Sequence, residues 1–160
     1  MPTALVHLMD AWSSIYSNSA ALRTLVGFAH IGALVTGGGA AVVADRATLV
    51  ARRADAADRA RHLGEFERTH RLVVVSLGVL ILSGVLLLAA DFETYFESRV
   101  FWTKMAFIGA LLVNGAFLVR AGHQAGRGIP TAWNRLRHGA IASLCLWAAI
   151  TLLGAALPNI

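Results

Sequence analysis

The sequence predicts an all-α integral membrane bundle of four transmembrane helices, preceded by a short interfacial helix. Of its 160 residues, 57% are hydrophobic and only 14% are charged, and the mean hydropathy is +0.64. These values are too apolar for an ordinary soluble domain. Four nearly charge-free runs are each long enough to cross a hydrocarbon core of about 30 Å. They lie at residues 24–44, 72–90, 100–119 and 139–157, and we predict one membrane domain over residues 1–160.

The segment at residues 3–17 has the pattern of an amphipathic helix. Apolar side chains recur at helical spacing, and polar side chains lie between them. This pattern is typical of a short helix in the outer membrane interface. Asn18 and Ser19 then offer side-chain oxygens that can cap the N-terminus of the first span. The apolar positions are Leu5, Leu8, Met9, Trp12, Ile15 and Tyr16.

The connection between the first two spans is predicted to be helical beyond the membrane surface. It alternates acids and bases in an Ala-rich context, with i,i+4 pairs such as Asp55 with Arg59 and Asp58 with His62. We expect His62, within this charged segment, to be solvated. Residues 121–131 contain three glycines and a proline, which predicts a loop.

Basic residues are sorted by loop, and this predicts the orientation of the chain. Eleven of the fourteen Lys and Arg residues lie between spans one and two or between spans three and four. The positive-inside rule places these two loops in the cytoplasm, and both termini outside a bacterial inner membrane. Contact with anionic lipid explains such juxtamembrane clusters without nucleic acid. The eleven residues are Arg46, Arg52, Arg53, Arg59, Arg61, Arg68, Arg71, Arg120, Arg127, Arg135 and Arg137.

Six histidines raise the question of a metal or haem site, because imidazole is a common ligand for both. His70 begins the second span and His138 begins the fourth, at the same end of the bundle. If these helices are diagonal, the two imidazoles could provide both axial ligands of a b-type haem. The alternative is that both are interface histidines, hydrogen-bonded to water and headgroups.

His30 lies within the first span, about 9 to 10 Å below the outer surface at 1.5 Å per residue. An unpaired polar group facing lipid is costly there, so His30 should point inward as a candidate iron ligand. Lys104, which enters the third span from the same side, is its expected neighbour and could bind an anionic group or, as a neutral amine, iron. Gly37 shares the His30 face and would admit a flat ligand or a closely packed helix. Asn114, deeper in the third span, is a fourth candidate for the cofactor site or for a bond to a neighbouring helix.

Four stretches of the chain resemble a loose group of bacterial membrane proteins with four or more spans. They are FAHIGALVTGGG, EFERTHRLVVVSLGVLILSGVLLL, FWTKMAFIGALLVNGAFL and RLRHGAIASLCLWAAI, and the resemblance covers roughly residues 24–157. The group includes uncharacterised four-span proteins, the copper-resistance D family and the HemJ-type protoporphyrinogen oxidases. The HemJ-type proteins are described as binding haem b, and their first-span His and third-span Lys correspond to His30 and Lys104. Asn114 stands where their pattern has a further His.

Three classes of function follow. The resemblance implies a redox protein that handles haem b or another porphyrin, or a protein related to copper transport. A copper site could use His7 and Met9, a His-x-Met pair in the outer helix. The third class is a non-catalytic membrane subunit whose polar groups only pack helices. The lipid bilayer is a partner in every case, and a homo-oligomer or a larger membrane complex stays open.

Overall fold

The computed structural model describes residues 3–51 and 54–157, with side chains from His7 onward. Its described residues form helices and turns and no strands. Four of the helices are long and apolar enough to cross a membrane, which confirms the predicted all-α membrane bundle. The helices are α1 (Thr3–Asn18), α2 (Ala20–Ala51), α3 (Ala56–Ala90), α4 (Phe92–Glu97), α5 (Arg99–Gly126) and α6 (Ala132–Ala156).

The spanning helices extend beyond the predicted spans. The 32 residues of α2 cover about 48 Å at 1.5 Å per residue, well over the thickness of a hydrocarbon core. The predicted helical connection between spans one and two is confirmed on either side of residues 52–55, because α2 continues to Ala51 and α3 begins at Ala56. Arg52 and Arg53 of that connection lie outside the described residues.

The predicted loop at residues 121–131 is wrong over its first half, where α5 continues to Gly126. Ala121 and Ala125 are buried against the start of α6, and this packing outweighs the low helix propensity of the nearby glycines. The chain turns only at residues 127–131, where Gly128 adopts a φ of 77° that favours glycine.

Side-chain caps and interhelical bonds fix the end of the bundle that carries α1 and α4. We call it the outer end, after the orientation that the sequence predicts. The Ser19 hydroxyl accepts from the backbone N–H of Leu22, as expected of an N-cap. Helix α1 is attached to the end of α3, because Trp12 Nε1 donates to the Leu86 carbonyl at 2.9 Å. The acidic connection between α3 and α5 contains the short helix α4, which the sequence analysis did not predict. The position of α1 in the membrane interface stays a prediction.

The four long helices pack in an uneven ring. Helix α2 packs extensively on α3, α5 packs extensively on α6, and α2 against α6 joins the two pairs. Helices α3 and α5 touch only sparsely. We call the gap between them the α3–α5 seam. Large apolar side chains point outward from the bundle, as Phe28 does with 74% of its surface exposed, which fits contact with lipid.

The expectation that His62 is solvated is wrong. His62 is only 8% exposed, and its Nε2 lies 2.9 Å from the Thr48 hydroxyl oxygen, with Thr48 1% exposed. Helices α2 and α3 both extend beyond the predicted spans, and they bury His62 and Thr48 where these extensions pack against each other. His62 therefore joins α2 to α3, whereas Asp58, its predicted partner, pairs with Arg61.

Candidate functional site

His30 faces α3 near the outer end of the bundle, as the cost of an unpaired polar group predicts. Its Nδ1 lies 2.9 Å from the Ser83 hydroxyl oxygen. That hydroxyl can donate its hydrogen to the Val79 carbonyl oxygen, 2.7 Å away, and its own oxygen then accepts from the imidazole. This arrangement favours the tautomer with the ring proton on Nδ1. In that tautomer the lone pair that can bind a metal is on Nε2.

Lys104 lines the same cavity as His30. The cavity has a volume of about 380 Å³, lies at the outer end of the α3–α5 seam, and is not fully enclosed. Two glycines make room for the polar side chains. A Cβ on Gly84 would lie 3.4 Å from His30 Cε1, and a Cβ on Gly154 would lie 3.4 Å from Lys104 Nζ. The structure thus brings together the two residues that the sequence analysis paired.

The remaining wall of this outer cavity is mainly apolar. Tyr95, on α4, adds one phenol. Burial raises the pKa of the Tyr95 phenol, and the nearby Asp91 and Tyr16 add to the shift, so the group stays a neutral O–H at physiological pH. A basic amine, an imidazole and a phenol therefore face an apolar space. The apolar lining comprises Leu80, Ile81, Val85, Leu87, Leu88, Phe101, Met105, Ile108 and Leu157.

Two other candidate residues pack helices outside this cavity. Gly37 lies against α3, where a Cβ would come within 2.6 Å of Ser76 Cβ. Asn114 Nδ2 donates to the Gly139 carbonyl at 2.9 Å, which confirms the predicted bond to a neighbouring helix. Gly37 and Asn114 are both absent from the wall that His30 and Lys104 share.

The structure does not bring His70 and His138 together. Their helices, α3 and α6, are diagonal, as a shared haem would require. His138 nevertheless faces outward and is exposed, while its neighbours Gly139 and Ala140 are buried. His70 is half-buried and stacks on Phe66, with ring centroids 5.9 Å apart. Within the described residues, no three His, Cys, Asp or Glu side chains are placed to hold a metal ion.

Asp45 is a site residue that the sequence analysis missed. It is 3% exposed and lines a second cavity, of about 260 Å³, together with His70 and Asn114. A charged residue next to Arg46 at the end of an apolar run resembles an interfacial anchor. Helical periodicity could have identified the burial of Asp45. Gly37, Ala41 and Asp45 follow one another at i,i+4 on the packed face of α2.

Comparisons of the chain with models of protein families, with curated proteins and with solved structures find no match.

Proposed function

We propose that this integral membrane protein binds haem b, or a related porphyrin, in the outer cavity and uses it in a redox role. The observation that carries the proposal is that His30, from α2, and Lys104, from α5, line one apolar cavity. Its volume lies within the range of roughly 300 to 1,000 Å³ that is usual for ligand sites. The resemblance drawn from the sequence assigns the same two positions to haem handling.

His30 fits the role of iron ligand. In the tautomer that carries its proton on Nδ1, toward Ser83, its Nε2 has the lone pair that would coordinate iron. Metal-ligating histidines commonly donate their other N–H to such a fixed acceptor, which sets both tautomer and ring orientation. Haem would supply one-electron chemistry there, while His30 would supply an iron ligand and the cavity wall its apolar surroundings.

Lys104 fits the role of counter-charge to a porphyrin propionate. An ammonium group binds a carboxylate without losing a proton, whereas coordination of iron would require the neutral amine. The Tyr95 phenol in the same cavity is a second donor for a carboxylate oxygen. Tyr95 lies on α4 and Lys104 lies near the start of α5, so both donors come from the same end of the bundle.

The absorption spectrum of the purified protein tests the proposal. We expect a Soret band in the isolated protein or after titration with hemin, and His30→Ala should abolish it. Lys104→Met should weaken hemin binding, while Lys104→Arg, which keeps the charge, should retain most of it. His138→Ala is the matched control, since His138 is an exposed histidine near the other end of the bundle. A folded protein that stays colourless with hemin, or equal binding by the His30 and His138 variants, contradicts the proposal.

A non-catalytic membrane subunit is the second candidate. The bonds from His62 to Thr48 and from Asn114 to Gly139 show polar side chains joining helices, which is what this function requires of them. Failure of hemin to bind the folded protein would favour it. A copper-transport function has less support, because His7 and Met9 are two positions apart on α1 and so diverge around the helix.

A further inference from the structure

A buried carboxyl group lies in the half of the bundle opposite to the outer cavity. Asp45, on α2, is 3% exposed, and its Oδ2 has no hydrogen-bond partner among the described residues. The Ser143 hydroxyl, contributed by α6, interacts with the carboxyl group. The Asp45 side chain lines the cavity of about 260 Å³, which lies in the middle of the α3–α5 seam. We call this space the inner cavity.

The groups that face Asp45 do not balance a negative charge. Helix α3 contributes His70 and Thr69, α5 contributes Asn114, and α6 contributes Ser143. Within the described chain, no lysine or arginine lines the inner cavity. A carboxylate buried in low dielectric without a cation costs several kcal/mol. Burial therefore favours the neutral, protonated carboxyl group, or a cation that enters from outside.

A third cavity adjoins this one on the side of the arginine-rich loops, because Phe66 and His70 line both. It has a volume of about 660 Å³ and is lined by Glu67, Arg71, His123 and Arg127. We call it the vestibule. His70 lines both the vestibule and the inner cavity, so its imidazole lies at the boundary between them. A neutral imidazole can accept a proton on one nitrogen and release one from the other, and thereby return to its starting state.

An apolar layer separates the inner cavity from the outer one. Leu77 and Leu111 line the inner cavity, whereas Leu80 and Ile108 line the outer one. Leu77, Leu111 and Ile108 belong to one packed hydrophobic cluster. Polar side chains therefore lie between Asp45 and the arginine-rich end, whereas apolar side chains lie between Asp45 and the outer cavity.

We propose that Asp45 is a proton-binding site, loaded from the arginine-rich end of the bundle through the vestibule and His70. A proton enters at one imidazole nitrogen, another leaves the second nitrogen, and it forms the O–H bond on the carboxylate of Asp45. Sodium ions fit the site less well, because many transporters coordinate them with the carbonyl groups of unwound helices. Helices α2, α5 and α6 are continuous through this region. This inference is independent of any ligand in the outer cavity.

Infrared difference spectroscopy of the protein in lipid vesicles tests the site directly. A protonated carboxyl group gives a C=O band apart from that of carboxylates, and the band shifts in heavy water. We expect a band that disappears as pH rises and is absent in Asp45→Asn at every pH. Asn has nearly the shape of the neutral acid, so this variant should fold. Asp10→Asn, at an exposed position on α1, is the matched control and should keep the band.

The route is tested by the rate at which the band shifts after transfer to heavy water. His70→Leu should slow the shift by roughly 100-fold, the lower range of what a positioned proton-transfer group contributes. His123→Leu, at the exposed mouth, should change the rate much less. If Asp45→Asn is too unstable to purify, Ser143→Ala is the substitute test. This variant removes the serine hydroxyl that interacts with Asp45, so it must move the pH at which the band titrates. A band that persists in Asp45→Asn, a titration that Ser143→Ala leaves unchanged, or a band governed by sodium instead of pH overturns the proposal. An unchanged exchange rate in His70→Leu overturns the route through His70.

Discussion

The three consecutive glycines of α2 face three different surroundings, so alanine should have a different effect at each. A Cβ on Gly37 would lie 2.6 Å from Ser76 Cβ on α3, and a Cβ on Gly38 would lie 3.2 Å from the Trp147 ring on α6. A Cβ on Gly39 would meet no atom within 4 Å. We predict that Gly37→Ala destabilises the fold most, Gly38→Ala less, and Gly39→Ala not at all.

The size of the effect at Gly37 follows from the contact distance. Carbon atoms prefer separations of about 3.5 to 4.0 Å, so α2 and α3 must move apart by roughly 1 Å at this point. Because Ser76 Cβ is fixed to its backbone, rotation of its side chain cannot relieve the clash. Overpacking of this kind costs about 1 to 3 kcal/mol. At about 1.4 kcal/mol per factor of ten, this lowers the folding equilibrium constant by roughly 5- to 150-fold.

Equilibrium unfolding in mixed detergent micelles, titrated with dodecyl sulfate and followed by circular dichroism, measures these differences. The double variant with Gly37→Ala and Ser76→Gly removes the opposing Cβ, so it should recover most of the lost free energy of unfolding. Gly39→Ala is the matched control for the change in helix propensity, which favours alanine by up to about 1 kcal/mol. Equal stability of the Gly37 and Gly39 variants, or no recovery in the double variant, would refute the close contact.

Three further predictions concern polar contacts between helices. Thr48→Val leaves His62 buried without its partner and should lower the free energy of unfolding by about 1 to 3 kcal/mol, measured in the same titration; no loss would mean that water replaces the hydroxyl. Asn114→Leu removes one bond to α6 and should cost only about 0.6 kcal/mol, so a loss of several kcal/mol would contradict a purely local role. Ser83→Ala frees the His30 ring and should weaken hemin binding by about 10- to 100-fold in a spectral titration, whereas unchanged affinity would count against Ser83 as the orienting group.

The number and class of the helices could be predicted from the sequence because apolar runs of membrane length have few other structures available to them. The ends of the helices were harder to predict. Glycines at 122 and 126 indicated a loop, yet Ala121 and Ala125 pack against α6 and keep this part of α5 helical. The buried pair of Thr48 and His62 was also missed, because it depends on α2 and α3 packing beyond the apolar runs.

The sequence predicted the depth of the candidate site residues in the membrane better than the direction in which their side chains point. His30 and Lys104 enter from the same side, and a polar side chain in lipid is costly, so both were expected to turn inward. His70 and His138 lie at similar depth too, but depth does not give the angle around a helix. The buried positions Leu136, Gly139 and Ser143 define the packed face of α6, and His138 falls outside this periodicity.

Helix α2 carries both ionisable groups on which the proposals depend, and this connects the two halves of the bundle. His30 interacts with Ser83 of α3 and Asp45 interacts with Ser143 of α6, so each group is matched with a serine from a neighbouring helix. The two lie 15 residues apart, or about 22 Å along the axis. Gly37 lies between them in close contact with Ser76 of α3. A shift of α2 at Gly37 would therefore alter the surroundings of both sites at once, whereas a change at either serine would act on one site alone.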